Sequence, residues 1–540
     1  MRQIGSPSTR AVFLANAVAE MVRREFPGKR VGMYAYSEHS PPPQIDVAPE
    51  LIINIATALI KGGYTYDLLV EGWRARGVKT LGTRDYHDVI NWSAWSPGKS
   101  RGSNTEHCSK GLLRYYEQGS RFYSSEGGWV FGPNGLGYYI SMRVLWNTQE
   151  AAQVEAIKQD FFRKSFGAAA EPMAKFYDLI DGKNKPLLSA NLLGLLYRQL
   201  DAAVKSVAND PAVLRRLADL TTYVRYAELL QAKESDNSSK NNLKLIEHVA
   251  RMRSNQMLQT LEASRYYLRY MPKECEQVDW NKAKPFSLEE ALGLIQPGIA
   301  NNPLLSFTPV NFSDDYRPMT KQTQTPRCDG VIQGNARNFY AYITHPEKKL
   351  ELEVTGGLIK HYQNRGNVKI NLYQIGGASE TGELETLVDS NSDVPPDGEK
   401  HLVALKAKNA GLHKITVADG NDRTKIDWAP TIPVVMAASM EQKLSLPLVH
   451  SFYVYVPKGT KQIGFYTNTK CGSLCNPEGK EVLTFDKNSS SGFPAIIVKS
   501  GQDGKFWKFK EVKGVFAMLT IPPIAARSGA EMLIPEEVKE

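Results

Sequence analysis

Apolar residues recur at three- and four-residue intervals from Ser8 to Phe26, at Val12, Ala15, Ala19, Val22 and Phe26. That spacing predicts an amphipathic helix, stopped by Pro27-Gly28. The pattern then switches. Residues 30–36 and the run Leu51-Ile52-Ile53-Asn54-Ile55 are short and mostly apolar, as strands buried on both faces are. Tyr66 to Arg76 returns to helical spacing, with Gly77 where a C-cap belongs. Residues 78–84 and 120–125 supply two more strands, with a helix near His107–Gln118 between them. Helices alternating with apolar strands predict α/β order with parallel strands.

From Asn147 the chain turns helical. Asn147 and Thr148 can cap a helix that carries Val154, Ile157 and Phe161 on one face. Further helices are expected over 168–182, 187–207, 210–232 and 241–271, with a polar break at Glu234 to Ser239. Past Pro303 the period becomes two. Leu350 to Val354 and Val368 to Leu372 alternate, and Phe452 to Val456 is β-branched and aromatic throughout. Frequent Gly, Asn, Asp and Pro between such runs predict β-sandwiches, with a seam near 430–447. The expected domains are 1–147, the late half of a (β/α) barrel; 148–300, helical; and two β-sandwiches, 301–435 and 436–540.

Each early strand ends in a polar and aromatic cluster. Tyr34 and Tyr36 lead into Glu38 and His39, with Pro41-Pro42-Pro43 stiffening the loop behind them. Asp85 is flanked by Arg84, Tyr86 and His87; Glu126 precedes Gly127-Gly128-Trp129. A parallel (β/α) barrel builds its active site at such strand ends. Carboxylates beside aromatic faces suit sugar chemistry, in which one carboxyl donates a proton and another acts as base or nucleophile. Asp85 and Glu126 are therefore the catalytic candidates, and each has a plainer alternative: a loop Asp paired with Arg84, and a solvated loop Glu. Tyr34, Tyr36, Glu38, His39, Tyr86, His87, Trp92, Trp129 and Asn134 are the candidate substrate contacts. Trp92 and Trp95 form a sugar platform or bury against the scaffold. Tyr138 or Tyr139, and Trp146, are expected in the core.

Composition narrows the class. The chain has 540 residues, too many for one core. Net charge is +9, from 66 basic and 57 acidic residues, with no basic stripe or nucleic-acid motif. No apolar run reaches the length of a membrane span, and Met1 to Ser6 lacks an apolar signal core. There are five cysteines. Cys471 and Cys475 form a local disulfide or stay free, since no second pair completes a zinc site. Metalloprotease, nucleotide-binding and esterase motifs are absent, and neither a metal nor a cofactor is expected. Oligomeric state is left open.

Four strands are half of a closed eight-stranded barrel. Either an amino-terminal half is missing or another segment closes the sheet. Two stretches carry a resemblance: Val31 to Pro43 (VGMYAYSEHSPPP), and Gly135 to Tyr177 with its Leu145-Trp146-Asn147 and Phe166-Gly167-Ala168-Ala169 segments. With Asp85-Tyr86 and Glu126, they resemble a bacterial glycoside-hydrolase-like family, the domain of unknown function 4838, over about residues 6–180. That family is similar to the barrels of α-glucuronidases and β-hexosaminidases. The resemblance implies a (β/α)8 barrel acting on a poly- or oligosaccharide in an exported protein, extracellular or periplasmic. It also implies that Asp85 and Glu126 sit at late strand ends, with the general acid on an earlier strand outside this chain. The rival expectation is a non-catalytic carbohydrate-binding or cell-surface protein that uses its β-sandwiches.

Overall fold

The computed structural model describes residues 5–207, 210–321, 323–334, 337–359, 366–376, 385–420, 422–487, 489 and 491–540. Met1 to Ile4, part of the stretch searched for a signal core, lies outside them. The chain divides into two compact units, Met1–Leu304 and Leu305–Glu540. It is mixed in class: a parallel sheet, a helical region and a large antiparallel sheet. Among the described residues no helix is long and apolar enough to cross a membrane.

The first unit opens with α1 (Pro7–Glu25). Its N-cap Ser6 accepts from Thr9 N, and Pro7 occupies the first turn, where no amide hydrogen is needed. Four parallel strands follow: β1 (Val31–Ala35), β2 (Leu51–Ala56), β3 (Thr80–Tyr86) and β4 (Ser120–Glu126), paired in chain order. Among the described residues the sheet does not close on itself, and neither β1 nor β4 has a strand paired to its outer edge.

One face of this sheet is covered. Leu51, Ile53 and Leu81 pack against Val12 and Ala19 of α1 and against Leu69, Val70 and Trp73 of α2 (Tyr66–Arg74). Trp73 Nε1 donates to the Ser40 carbonyl at 2.9 Å, which ties α2 to the loop after β1. The opposite face carries Tyr34, Asn54, Gly82 and Phe122 in one cross-strand row. Tyr34 and Phe122 are each 48% exposed. The polar side chain of Asn54 occupies the space a Cβ on Gly82 would need.

After β4 comes α3 (Phe131–Trp146), then the helices of the 148–300 region. They serve the site by clamping one loop. Ala94 and Trp95 both have left-handed backbone (φ 44° and 53°), a conformation costly for side chains with a Cβ. Tyr226 donates to the Ala94 carbonyl at 2.7 Å and Tyr223 to that of Trp95 at 3.1 Å. Both tyrosines lie on the helix Pro211–Ser235, fully buried. Trp95 is therefore core, 1% exposed, whereas Trp92 is 52% exposed. Trp146, expected in the core, is 91% exposed.

The second unit is all-β. At the expected seam, Val434–Ala437 pairs with Arg337–Ile343 on one side and with Ile524–Ala526 on the other. One sheet thus runs through the 430–447 region, and a separate four-stranded sheet, built from Val331–Gly334, Leu350–Thr355, Lys400–Leu405 and Arg423–Trp428, is also present. Phe452 stacks on Phe509 with centroids 4.8 Å apart, and Tyr453 and Tyr455 are 7% and 2% exposed. That aromatic strand is core. All five cysteines are free thiols, including Cys471 and Cys475.

Candidate functional site

Successive side chains of a strand point to opposite faces of the sheet, and this separates the two candidate carboxylates. Asp85 shares a face with Tyr123 and Ser125: Tyr123 Oη donates to Asp85 at 2.8 Å, and Ser125 Oγ accepts from His87 N at 2.8 Å. This is the covered face. Glu126 shares the other face with Arg84 and Tyr86 and pairs with Arg84 at 2.9 Å. Asp85 and Glu126 are not brought together.

Asp85 is fully buried and saturated with donors. Its Oδ1 accepts from the Thr57 hydroxyl at 2.7 Å, Arg101 Nη1 at 2.8 Å and Tyr86 N at 2.8 Å. Its Oδ2 accepts from Tyr123 Oη and from His107 Nε2, the latter at 2.7 Å. Burial pushes the carboxyl pKa up. His107, Thr57 and Arg101 together outweigh that push and hold it well below the usual carboxylate range. Asp85 is thus an anionic acceptor with no proton to give.

The proton order in this cluster follows from valence. The Tyr123 hydroxyl has one hydrogen and gives it to Asp85, so at 2.8 Å it accepts from His87 Nε2–H. Burial lowers the His87 pKa to about 4, leaving it neutral near pH 7. Asp85, His87 and His107 each place a ligand atom within 4.8 Å of the other two, and one carboxylate with two imidazoles is a zinc-type donor set. The fit fails on protons and charge. Both Nε2 atoms carry hydrogens already committed, every Asp85 oxygen is occupied, and the Arg101 cation lies 2.8 Å from the same carboxylate. The cluster works as a hydrogen-bonded anchor.

A second buried carboxyl follows. Asp88 accepts from Ser93 Oγ at 2.6 Å and Asn134 Nδ2 at 2.7 Å. Burial raises its pKa to about 6, against the lowering effect of those two bonds. Asn134, expected at substrate, is 0% exposed, and its Oδ1 accepts from Ser100. It braces the loop after β3 instead of facing solvent.

The accessible rim lies on the other face. Tyr86, expected at substrate, is itself only 5% exposed: its ring packs 5.2 Å from Trp92 and lies 5.3 Å under the Arg84 guanidinium. Trp129 is 69% exposed beyond Gly127-Gly128. Tyr34 is exposed, Tyr36 and His39 are half-buried, and Glu38 is exposed and pairs with Lys61 at 3.2 Å.

One rim residue escaped the sequence reading. Phe131 N and Gly132 N donate to the carbonyls of Gln256 and Met257 at 3.1 Å each. This pairing brings the start of α4 (Thr260–Tyr270) to the rim, where the Gln259 side chain fills the space above Gly128. Glu262 follows on the first turn of α4. Its pKa is raised, by burial first and then by the charge of Glu126, with Arg265 opposing. It lies 136 residues from Glu126, and no local motif marks it.

No protein-family model and no curated protein matches the chain. Among solved structures the chain is similar to one described as a novel family GH115 4-O-methyl-α-glucuronidase, BtGH115A, with specificity for decorated arabinogalactans. Identity is 10% and the TM-score 0.25, over 74% of this chain and 58% of that one. This chain therefore spans less than two thirds of that protein's length, and the distant likeness is to a glycoside hydrolase without reaching the domain of unknown function 4838.

Proposed function

We propose that the chain is a carbohydrate-active protein that cleaves a glycosidic bond with Glu126 and Glu262 as its carboxylate pair. The observation that carries this reading is the asymmetry of the pair. Glu126 is ion-paired to Arg84, while burial and the Glu126 charge push Glu262 toward its protonated form. A carboxyl held toward its protonated form beside an ion-paired carboxylate matches the pairing of a general acid with its partner base or nucleophile. Glu262 protonates the glycosidic oxygen, and Glu126 acts on the anomeric side. Trp129 and Trp92, both exposed, supply stacking faces for sugar rings. Asp85 has no role in the bond-breaking step; it fixes β3 and β4 beneath the rim.

Reducing-end release from a panel of neutral, uronic-acid and N-acetylamino polysaccharides tests this. Glu126→Gln and Glu262→Gln are each expected to lower turnover by about a thousandfold with the circular dichroism spectrum intact. Unchanged turnover in either variant on an identified substrate rejects the assignment, and no release from the whole panel rejects hydrolysis.

A second reading, non-catalytic binding of an acidic glycan, is favoured by a cleft of about 900 Å³ in the second unit. Lys458, Lys505 and Lys508 line it beside Phe506 and Asn476. Retention on polygalacturonate that Lys508→Glu abolishes, together with no bond cleavage, would favour this reading.

A further inference from the structure

Behind the carboxylate rim, the first unit holds an aromatic-walled pocket of about 390 Å³. Its lining residues all fall between 131 and 257, so its walls need neither end of the chain. α3 contributes Tyr138 and Tyr139, and the helix Val154–Phe166 contributes Phe161 and Phe166. Tyr177 and Asp219 come from the helices Ala170–Leu179 and Pro211–Ser235. Ring packing fixes the walls. Phe161 meets Tyr177 edge-on, with centroids 5.4 Å apart and planes at 88°, and lies 5.5 Å from Tyr139. An apolar cavity of about 150 Å³ already holds one benzene ring, and small-molecule sites begin at about 300 Å³. This pocket has room for two fused rings.

One polar atom of this wall lacks a partner. Tyr177 is 5% exposed, and its hydroxyl makes no hydrogen bond among the described residues. Burial is the sole influence on its pKa, which it raises. The two neighbouring tyrosines are committed elsewhere: Tyr138 donates to the Gly128 carbonyl at 3.2 Å, and Tyr139 to Asp160 at 2.6 Å. A buried hydroxyl without a partner is costly and uncommon. The space beside it is kept open by Gly135 of α3, where a Cβ would stand 3.6 Å from Tyr177 Oη. The mouth carries exposed Arg216 and half-buried Asp219, opposite in charge, and Arg216 is held by the Ser165 carbonyl at 3.0 Å. No net charge there selects an ionic ligand.

We propose that this pocket binds a neutral two-ring molecule of the phenol type, its rings among Tyr139, Phe161 and Phe166 and its oxygen accepting the hydrogen of the Tyr177 hydroxyl. The rings displace water from the aromatic walls, which supplies most of the affinity. The Tyr177 hydroxyl, with one hydrogen to give, fixes the orientation and gains the partner that the empty pocket denies it. One convergent polar group in an otherwise apolar pocket is how small-molecule sites set specificity. The site is separate from bond cleavage, since neither Glu126 nor Glu262 lines it.

Isothermal titration of the full chain tests this without reference to hydrolysis. 2-Naphthol is expected to bind saturably, one molecule per chain. Tyr177→Phe, which keeps the ring and its volume, is expected to weaken 2-naphthol about tenfold, the loss of one hydrogen bond. It is expected to leave the binding of naphthalene, the same rings without the oxygen, unchanged. Gly135→Leu places a side chain in the pocket beside Tyr177 Oη and is expected to abolish binding of both compounds with circular dichroism intact. Where Gly135→Leu disturbs α3, the Tyr177→Phe comparison still decides. A chain that takes up neither compound, as when a side chain of another polypeptide fills the pocket, overturns the proposal. So does a Tyr177→Phe variant that binds 2-naphthol as the wild type does, or that loses both compounds equally. Binding that persists in a folded Gly135→Leu variant overturns it as well.

Discussion

Asp85, His87 and Asp88 sit within four residues and respond to pH in different directions. Asp85 is an ion buried among five donors, and removing its charge leaves Arg101 and two histidines facing an amide. Asp85→Asn is expected to cost about 3–5 kcal/mol of unfolding free energy in urea titration; a cost below about 1 kcal/mol would show that the cluster is not an anchor. For Asp88 the folded pKa, about 6, lies above the ordinary value of 3.8. Its contribution is full below pH 3.8 and is lost as pH rises through 6, about 3 kcal/mol in all. For His87 the folded pKa, about 4, lies below 6.5. Its contribution is present above 6.5 and is lost as pH falls through 4, again about 3 kcal/mol. The two terms oppose each other over nearly the same window. Asp88→Asn should therefore make stability climb with pH between 4 and 6.5 more steeply than in the wild type, and His87→Gln should tilt the curve the other way. Parallel shifts of both variants, with no change of slope, would refute both assignments.

At the scale of elements, close backbone approach decides which helix sits where. A Cβ on Gly137 of α3 would fall on the Gly102 carbonyl and 3.1 Å from Cys108 Sγ. The obstacle is backbone, which cannot swing aside, so α3 must lift from the Arg101–Ser103 turn. Gly137→Ala is expected to lower stability by about 2–3 kcal/mol despite the better helix propensity of alanine; a stabilising change would show that α3 floats. By contrast, a Cβ on Gly128 meets the flexible end of Gln259, and Gly128→Ala should cost under about 1 kcal/mol. Elements of this kind were legible where period and punctuation agreed. The four parallel strands and α1 lie within a few residues of their expected bounds, because short apolar runs flanked by Gly and Pro permit little else. That Asp85 and Glu126 differ in facing depends on the β3–β4 register, which shifts between Leu81 and Gly82 and is not written in either strand's own pattern. Which face was open depended on α1 and α2, which a strand pattern does not encode. Glu262 was invisible because its place at the rim depends on the 256–257 backbone pairing with 131–132, a long-range contact. Trp146 misled because it continues the apolar run of α3, yet it projects beyond the core.

Over the whole molecule, the two compact units follow from a change of period near Pro303, where helical spacing gives way to alternation. Met1–Leu304 and Leu305–Glu540 each enclose their own buried clusters, and residues 303–315 between them are largely exposed and outside helix or strand. Separate cores with an irregular join favour separate melting. Calorimetry is expected to resolve two transitions with enthalpies of roughly 200 and 160 kcal/mol, at about 0.7 kcal/mol per residue. Single substitutions assign them. Gly137→Ala should move only the larger transition. Gly472→Ala should move only the smaller one, because Gly472 has φ +85° and a Cβ there would meet the carbonyls of Lys510 and Glu511. A single transition whose van't Hoff enthalpy matches the full calorimetric heat, shifted equally by both substitutions, would show instead that the two units unfold as one.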